Sequence, residues 1–112
     1  MVRPILNRKL VLEAPDRSPD GAGGFAVTWV PLGQLWAEID ARTGAETKGP
    51  GAAMSRLRLK ITTRAAPHGA ASRPKAGQRL REGARLYRIL AVGESDRWAQ
   101  YLVCHAEEEF VR

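Results

Sequence analysis

The sequence predicts a mainly β protein, a small antiparallel barrel or sandwich of five to six strands with two long loops. Two observations lead to this fold class. Apolar and polar residues alternate with the period of two that is typical of half-buried strands, and segments rich in Gly and Pro separate the alternating runs. The chain has 112 residues, 44% of them hydrophobic and 27% charged, which favours a single globular domain over residues 1–112.

The first three strands are predicted in the N-terminal half. Arg8 to Ala14 places its leucines on one face. A Gly-rich connector then leads to a short strand at Ala26–Val30, which Pro31 ends or places at a sheet edge. A third strand is predicted from Leu35 to Arg42. Because Trp36 is large, the pattern does not decide which face of this strand points inward.

The later strands carry the strongest patterns. Arg56–Arg64 alternates strictly, with Leu57, Leu59 and Ile61 on one face and basic residues on the other. Ala84–Val92 is more continuously apolar and is expected to be covered on both sides. A tight hairpin turn with a positive φ at Gly83 precedes it, and a second hairpin connection at 93–97 leads to a last strand at Trp98–Glu107.

Two long loops are predicted, at Thr43–Met54 and Ala65–Gly77. Loops of this length inside a small domain are usually functional or disordered. The candidates for a helical turn are Ala45–Lys48 and Ala52–Ser55, since little of the remaining chain lacks a strand pattern.

The charge is distributed unevenly. The chain is net +6, but residues 1–46 are net −1, residues 47–93 net +10 and residues 94–112 net −3. A basic middle and an acidic end indicate one surface that contacts a negatively charged partner, such as nucleic acid or an acidic subunit, and a second surface that contacts a different partner. A solvated basic face explains the pattern equally well. The candidate contact residues for a neighbouring subunit, a partner or DNA are Arg56, Arg58, Lys60, Arg64, Arg73, Lys75 and Arg79.

Several function classes are disfavoured. The single cysteine excludes an intramolecular disulfide and a multi-thiolate zinc site within one chain. No apolar run is long enough for a transmembrane helix and the N-terminus lacks a signal-peptide core, so we expect a soluble intracellular protein or a part of an assembly. Cys104 and His105 are neighbours on a strand and point to opposite faces, so they form no dyad. His68 has no carboxylate nearby in sequence, and we expect no catalytic residue, cofactor or metal.

The aromatic residues are few and are interpreted as core residues rather than as platforms for bases. The Trp and Tyr residues interpreted in this way are Trp29, Trp36, Tyr87, Trp98 and Tyr101. Because no aromatic residue interrupts the basic row of Arg56, Arg58 and Lys60, that row would meet phosphates without sequence readout. It would equally suit the acidic face of an identical neighbour.

The order of the motifs carries a resemblance to a known family. A first strand at 7–15 precedes a Gly-Gly turn at 20–25 and Thr28-Trp29. Then come Leu35–Ile39, Thr43–Glu46, the alternating strand at 57–63, the hairpin at 80–92 and a closing strand at 101–107. Over residues 6–107 this resembles the phage head–tail joining proteins, also called head–tail adaptors, stoppers or head-closure proteins. One departure is visible, since Lys48–Met54 is rich in Gly and Pro where the family often has a helix.

The resemblance implies a structural virion protein with a small β-barrel. Such proteins form a ring of six or twelve copies at the head–tail junction, with portal or adaptor proteins above and tail terminator or tail tube proteins below. DNA passes through the lumen without sequence readout. The particle would be a phage, a prophage product or a gene transfer agent assembled in the host cytoplasm. The alternative from another class is a small basic barrel that binds nucleic acid non-specifically as a monomer.

Overall fold

Six antiparallel strands form the computed structural model, which describes residues 3–46, 55–95 and 98–109. The order around the sheet is β1-β2-β3-β6-β5-β4, and β1 pairs with both β2 and β4, so the sheet closes into a barrel rather than a sandwich. The strands are β1 (Arg8–Pro19), β2 (Phe25–Glu46), β3 (Ser55–Arg64), β4 (Arg79–Glu82), β5 (Arg85–Glu94) and β6 (Tyr101–Glu109). In these three ranges no helix is long and apolar enough to cross a membrane.

The barrel interior is filled by the apolar residues of the alternating strands. The predicted inward faces of β1 and β3 are confirmed, because Leu10, Leu12 and Ile61 are fully buried. In β2 the inward residue is Ala37, and Trp36 lies outside with 55% of its surface exposed. Every strand therefore contributes its alternate residues to one closed core.

Core packing was predicted for five aromatic residues, and it is wrong for most of them. Tyr87 is fully buried, but Trp36 and Trp98 are exposed and Trp29 and Tyr101 are half-buried. The interior of a six-stranded barrel is narrow, and Leu and Ile side chains already fill it, so the indole rings stay outside.

The antiparallel order divides the connections between two ends of the barrel. The β1–β2, β3–β4 and β5–β6 connections leave one end, which we call the arm end. The β2–β3 and β4–β5 connections leave the other, which we call the ion-pair end for the side chains described below. At the ion-pair end the predicted tight turn is confirmed: Glu82 pairs with Arg85 across two residues, and Gly83 has φ +59°.

One hairpin extends beyond the barrel. β1 pairs with β4 only from Val11 to Glu13 and β2 pairs with β3 only from Ala37. In the described chain residues 14–31 therefore pair only with each other, except for Pro31, which lies opposite Glu13. We call this two-stranded segment the arm. A register shift opposite Leu12 and Glu13, where Leu32 is the extra residue on β2, marks its base.

The separate strands predicted at Ala26–Val30 and Leu35–Arg42 are one strand, because β2 runs through Pro31. Pro31 does not end a strand. It lies opposite Glu13 at an edge that has no β3 neighbour, where its missing N–H removes no ladder hydrogen bond.

Other predicted boundaries also move. β6 begins at Tyr101 instead of Trp98, after a positive φ of 53° at Ala99. Ala45 and Glu46, predicted as part of a helical turn, lie in β2, and Ser55, from the other candidate turn, begins β3. The rest of both candidate turns, and most of the predicted loop at 43–54, fall at 47–54, outside the described residues.

Candidate functional site

The basic row of β3 lies on the outer wall of the barrel, as its alternation predicts, but acidic residues flank it. The Arg58 Nε atom is 3.6 Å from Glu107 Oε1 on β6. Lys60 stands directly opposite Asp40 on β2 and His105 on β6. The wall is therefore a mixed surface in which Arg58 and Lys60 each have a carboxylate on a neighbouring strand.

The two ends of the row differ in what is described. Arg64, the last residue of β3, is exposed at the arm end and lies opposite Tyr101. Arg56 pairs with Ala45 through the backbone, and its side chain is outside the described part of the chain. The row therefore runs along the outer wall towards the arm end, where Arg64 ends it.

The loop at 65–77 is folded against the barrel. A guanidinium N–H of Arg73 donates a hydrogen bond to the carbonyl oxygen of Ala66 at 2.8 Å, and Pro74 is buried. The backbone N–H of Lys75 donates to Gln78 Oε1 at 3.0 Å, while its side chain is exposed. Arg73 thus closes the loop on itself and Lys75 presents its charge at the arm end.

Arg79 belongs to the base of the arm. Its Nε atom donates to Glu13 Oε1 at 2.7 Å, and its guanidinium stacks 4.2 Å above the Trp29 ring. Arg81 donates to the other Glu13 oxygen at 3.0 Å. Burial alone would raise the pKa of Glu13, but the hydrogen bonds from Arg79 and Arg81 bring it below its usual value. These four residues, which we call the arm lock, join β1, β2 and β4 where the arm begins.

The arm presents apolar side chains to solvent. Residues directly opposite on paired strands share a face, and Pro19 lies opposite Phe25 while Arg17 lies opposite Val27. Phe25 is 69% exposed and Val27 47%. The turn at the tip is fixed by the Asp20 carboxylate, which accepts the N–H groups of residues 22 and 24 at 2.8 and 3.0 Å. Within the described part of the chain, the arm is therefore a defined ribbon with exposed apolar side chains on the face that also carries Arg17.

Inward-pointing ion pairs lie at the opposite end of the barrel. Arg8 forms a two-point ion pair with Glu82, which also accepts the Tyr87 hydroxyl at 3.0 Å. Arg85 forms a two-point ion pair with Glu108 at 2.8 and 2.9 Å. Burial, and then the Glu82 hydrogen bond, raise the pKa of Tyr87 to about 12. This network continues the inward faces of four strands and covers the end of the core.

The groups with catalytic potential are dispersed. Cys104 points into the core, where burial raises the pKa of its thiol to about 12, and His105 points outward to solvent. A buried thiol with a raised pKa is a poor nucleophile. In residues 3–46, 55–95 and 98–109, no group of three or more His, Cys, Asp or Glu side chains is arranged to hold a metal ion.

The sequence predicted the cations as contact residues, but it predicted neither the arm nor the ion-pair network. Of the seven predicted contact residues, the barrel wall carries Arg58 and Lys60, the arm end carries Arg64 and Lys75, and Arg73 and Arg79 hold local structure. The side chain of the seventh, Arg56, lies outside the described part of the chain. The signal for the arm was available in the Gly-rich turn at 20–24, flanked by two runs of similar length. The network had no such signal, since its members are up to 74 positions apart.

The comparisons with known proteins agree with this architecture. Residues 1–109 match the family model of the phage head completion protein. A solved structure described as "Virion of native gene transfer agent (GTA) particle" is 51% identical, with a TM-score of 0.85, and the match covers 98% of this chain and 100% of that chain. The search of curated proteins finds no match. Because the family model covers nearly the whole sequence, the chain belongs to the phage head completion protein family.

Proposed function

We propose that this chain is a structural, non-catalytic virion protein that forms a ring at the head–tail junction of a gene transfer agent or phage particle. The observation that carries the proposal is the 51% identity, over almost the full length, to a chain of a gene transfer agent virion. The ring would contain six or twelve copies, with portal or adaptor proteins above and tail terminator or tail tube proteins below. DNA would pass through its lumen, and the particle would assemble in the host cytoplasm.

The shape of the chain supports this role. A closed barrel has no open sheet edge in its body, so its lateral contacts must come from side chains on its walls and from hairpins at its ends. The described chain offers both, a charged outer wall and an arm. Head-to-tail contacts between different surfaces close a ring when the rotation between copies divides the circle.

The decisive experiment is deletion of the gene in a particle-producing cell, followed by electron microscopy and protein analysis of the particles. We expect filled heads and unattached tails, and we expect a plasmid copy of the gene to restore joined particles that contain the chain. Normally joined particles without the chain would contradict the proposal.

The seven cations are proposed as contacts with neighbouring subunits, partners or DNA. Exchange of Arg58 and Lys60 for glutamate tests the outer wall, and exchange of Arg64 and Lys75 tests the arm end. We expect the pair that faces the lumen to change DNA retention in assembled particles. Exchange of the pair that faces a neighbouring subunit is expected to reduce incorporation of the chain into particles. If neither double exchange changes DNA retention or incorporation, these four residues are not among the contacts.

Non-specific DNA binding by a free monomer remains the competing function. The net charge of +6 favours it, but the carboxylates beside Arg58 and Lys60 reduce the basic field of the wall. A free binder would retain DNA with an affinity that falls steeply with salt. We expect the isolated chain to show no DNA retention at about 150 mM salt, measured by fluorescence anisotropy with a 20-base-pair duplex.

A further inference from the structure

The outer surfaces of β1, β4 and β5 form a continuous wall, because β4 pairs with both of the other strands. Residues directly opposite on paired strands share a face, and Arg79 lies opposite Glu13 on β1 and opposite Arg88 on β5. Arg81 follows Arg79 by two residues and Lys9 precedes Glu13 by four, so both project from the same side of their strands. We call the surface formed by Lys9, Arg79, Arg81 and Arg88 the β4 wall.

The β4 wall has one carboxylate for its four cations and is therefore net +3. Glu13 accepts hydrogen bonds from Arg79 at 2.7 Å and from Arg81 at 3.0 Å, so its single negative charge is shared between two guanidinium groups. Lys9 and Arg88 are exposed, and neither side chain has an ion pair with another residue of the described ranges. Like charges directly opposite on neighbouring strands destabilise a sheet, and Arg79 faces Arg88. The wall thus carries positive charge that its own chain does not balance.

The carboxylates on the flanking strands β2 and β6 lie at the borders of the wall. Glu107 on β6 lies opposite Arg88, but its Oε1 atom is 3.6 Å from the Arg58 Nε atom on the far side. Glu38 on β2 accepts a backbone N–H of the N-terminal segment at 2.7 Å, and Glu109 is the last residue of β6. These groups limit the positive surface to β1, β4 and β5 without neutralising its centre on β4.

The opposite side of the barrel is different. β3 is three strands away from β4 in either direction, and its cations have carboxylates on both flanking strands. Asp40 on β2 stands opposite Lys60, and Glu107 on β6 lies beside Arg58. The positive potential is therefore higher over the β4 wall than over the basic row of β3.

The arrangement of the cations suits a polyanion. Neighbouring strands are about 4.8 Å apart, so the wall spreads its charges over about 10 Å instead of directing them at one point. Five of its seven outward residues at 9–13, 79–81 and 86–88 are charged, and the other two, Val11 and Leu86, are half-buried. Protein interfaces depend mainly on large anchoring side chains in pockets, whereas binding to nucleic acid depends on contacts between cations and phosphates. Arginine, the commonest cation of the wall, matches the geometry of a phosphate group.

We propose that the β4 wall binds the phosphate backbone of double-stranded DNA through Lys9, Arg81 and Arg88. Arg79, which is held by Glu13 and stacks on Trp29, keeps the wall positive between them. The contact has no sequence preference, since phosphates carry no sequence information. The inference rests on the proposed function, which supplies the DNA, and it specifies which side of the barrel faces the lumen of the ring.

The first test measures binding of the isolated chain to a 20-base-pair duplex by fluorescence anisotropy. Each neutralised phosphate contributes about −0.9 to the slope of log K against log salt, so we expect a slope of about −3 for wild type, with binding at about 20 mM salt that is lost at about 150 mM. Lys9→Gln with Arg88→Gln leaves the arm lock intact. We expect this double variant to bind at least tenfold more weakly at the lower salt, with a slope of about −1.

The matched control is Arg58→Gln with Lys60→Gln, which removes the same charge from the opposite side of the barrel. We expect it to weaken binding less than threefold, with circular dichroism showing that both double variants are folded. Lys9→Gln alone, with a slope smaller by about 1, replaces the double variant if that one does not fold. Equal losses in the two double variants, or no binding of wild type at the lower salt, would overturn the inference.

The second test uses particles from cells in which the Lys9→Gln, Arg88→Gln chain replaces the wild-type chain. We expect wild-type incorporation and joined heads and tails, but a change of at least twofold in nuclease-protected DNA per joined particle, measured by quantitative PCR. Unchanged DNA content would overturn the inference and leave the proposed function standing, and a simultaneous fall in incorporation would identify the wall as a protein contact. Absence of the chain from wild-type particles would instead overturn the proposed function, whatever the isolated chain binds.

Discussion

The barrel and the arm are built from the same two strands, and they differ in what covers their side chains. In the barrel part of β1 and β2, Leu10, Leu12 and Ala37 are fully buried. In the arm part of the same strands, Phe25 is 69% exposed and Val27 is 47% exposed. Alternation therefore specifies that a segment is a strand, but not whether its own chain or another molecule covers it. The barrel part is stabilised by its own core, and the arm part is held at its base by the arm lock.

The largest expected effect separates the two regions directly. Leu80→Ala removes a fully buried side chain from the core and is expected to lower the free energy of unfolding by about 2–5 kcal/mol. Phe25→Ala removes a larger side chain that is 69% exposed, and we expect a change within about 0.5 kcal/mol in the isolated chain. Urea denaturation of the two variants measures both. A loss above about 1.5 kcal/mol for Phe25→Ala would show that the arm packs on its own barrel.

Alkaline pH is expected to act on the barrel and not on the arm. Burial raises the pKa of Cys104 and of Tyr87 to about 12, while the unfolded chain ionises these groups near ~8.5 and ~10. The unfolded state therefore binds fewer protons above these values, and stability falls as pH rises towards about 12. Each group contributes a slope of about 1.4 kcal/mol per pH unit.

Tyr87→Phe tests this dependence. The variant loses the hydrogen bond to Glu82, which lowers stability at neutral pH, and it removes the part of the slope that begins near pH ~10. Urea midpoints measured from pH 8 to 11 give the slope. An identical slope in Tyr87→Phe and wild type would contradict the assignment of this titration to Tyr87.

How far the sequence predicts this molecule follows from the same comparison. The strict alternation of β3 correctly placed Leu59 and Ile61 in the core, and the Gly at position 83 correctly placed a turn, because both signals are local. Trp36 was predicted wrongly because the volume of a barrel interior depends on strand number and tilt, which no single segment encodes. Trp98 was predicted wrongly because it precedes β6, which begins only at Tyr101. The arm lock could not be predicted from the sequence for a related reason. Glu13 and Arg79 are 66 positions apart and come into contact only because β1 and β4 are neighbours in the barrel.

The arm lock is expected to control the arm more than the barrel. Glu13→Ala leaves Arg79 and Arg81 without their shared carboxylate. Because Arg81 is partly exposed, we expect a loss of about 1–2 kcal/mol rather than the larger cost of breaking a fully buried pair. Hydrogen exchange followed by mass spectrometry is expected to show faster exchange at 14–31 than in wild type, with β5 and β6 little changed. Asp16→Ala is the matched control, since it removes an exposed carboxylate from the same strand. Equal exchange in both variants would contradict the role of the lock.

The smallest expected effect compares one backbone conformation in the two regions. Gly83 in the β4–β5 turn and Gly23 at the tip of the arm have φ of +59° and +85°, and a Cβ atom at either position meets nothing within 4 Å. Alanine therefore introduces the same left-handed strain of about 1 kcal/mol at both sites, with no steric clash to add to it. Gly83→Ala strains a turn that holds two barrel strands, so the whole cost is expected in the urea midpoint. Gly23→Ala strains a segment that opens before the barrel unfolds, so its midpoint is expected to match wild type while exchange at the arm tip rises severalfold. Equal losses of global stability would mean that arm and barrel unfold as one unit, and would end the distinction between them.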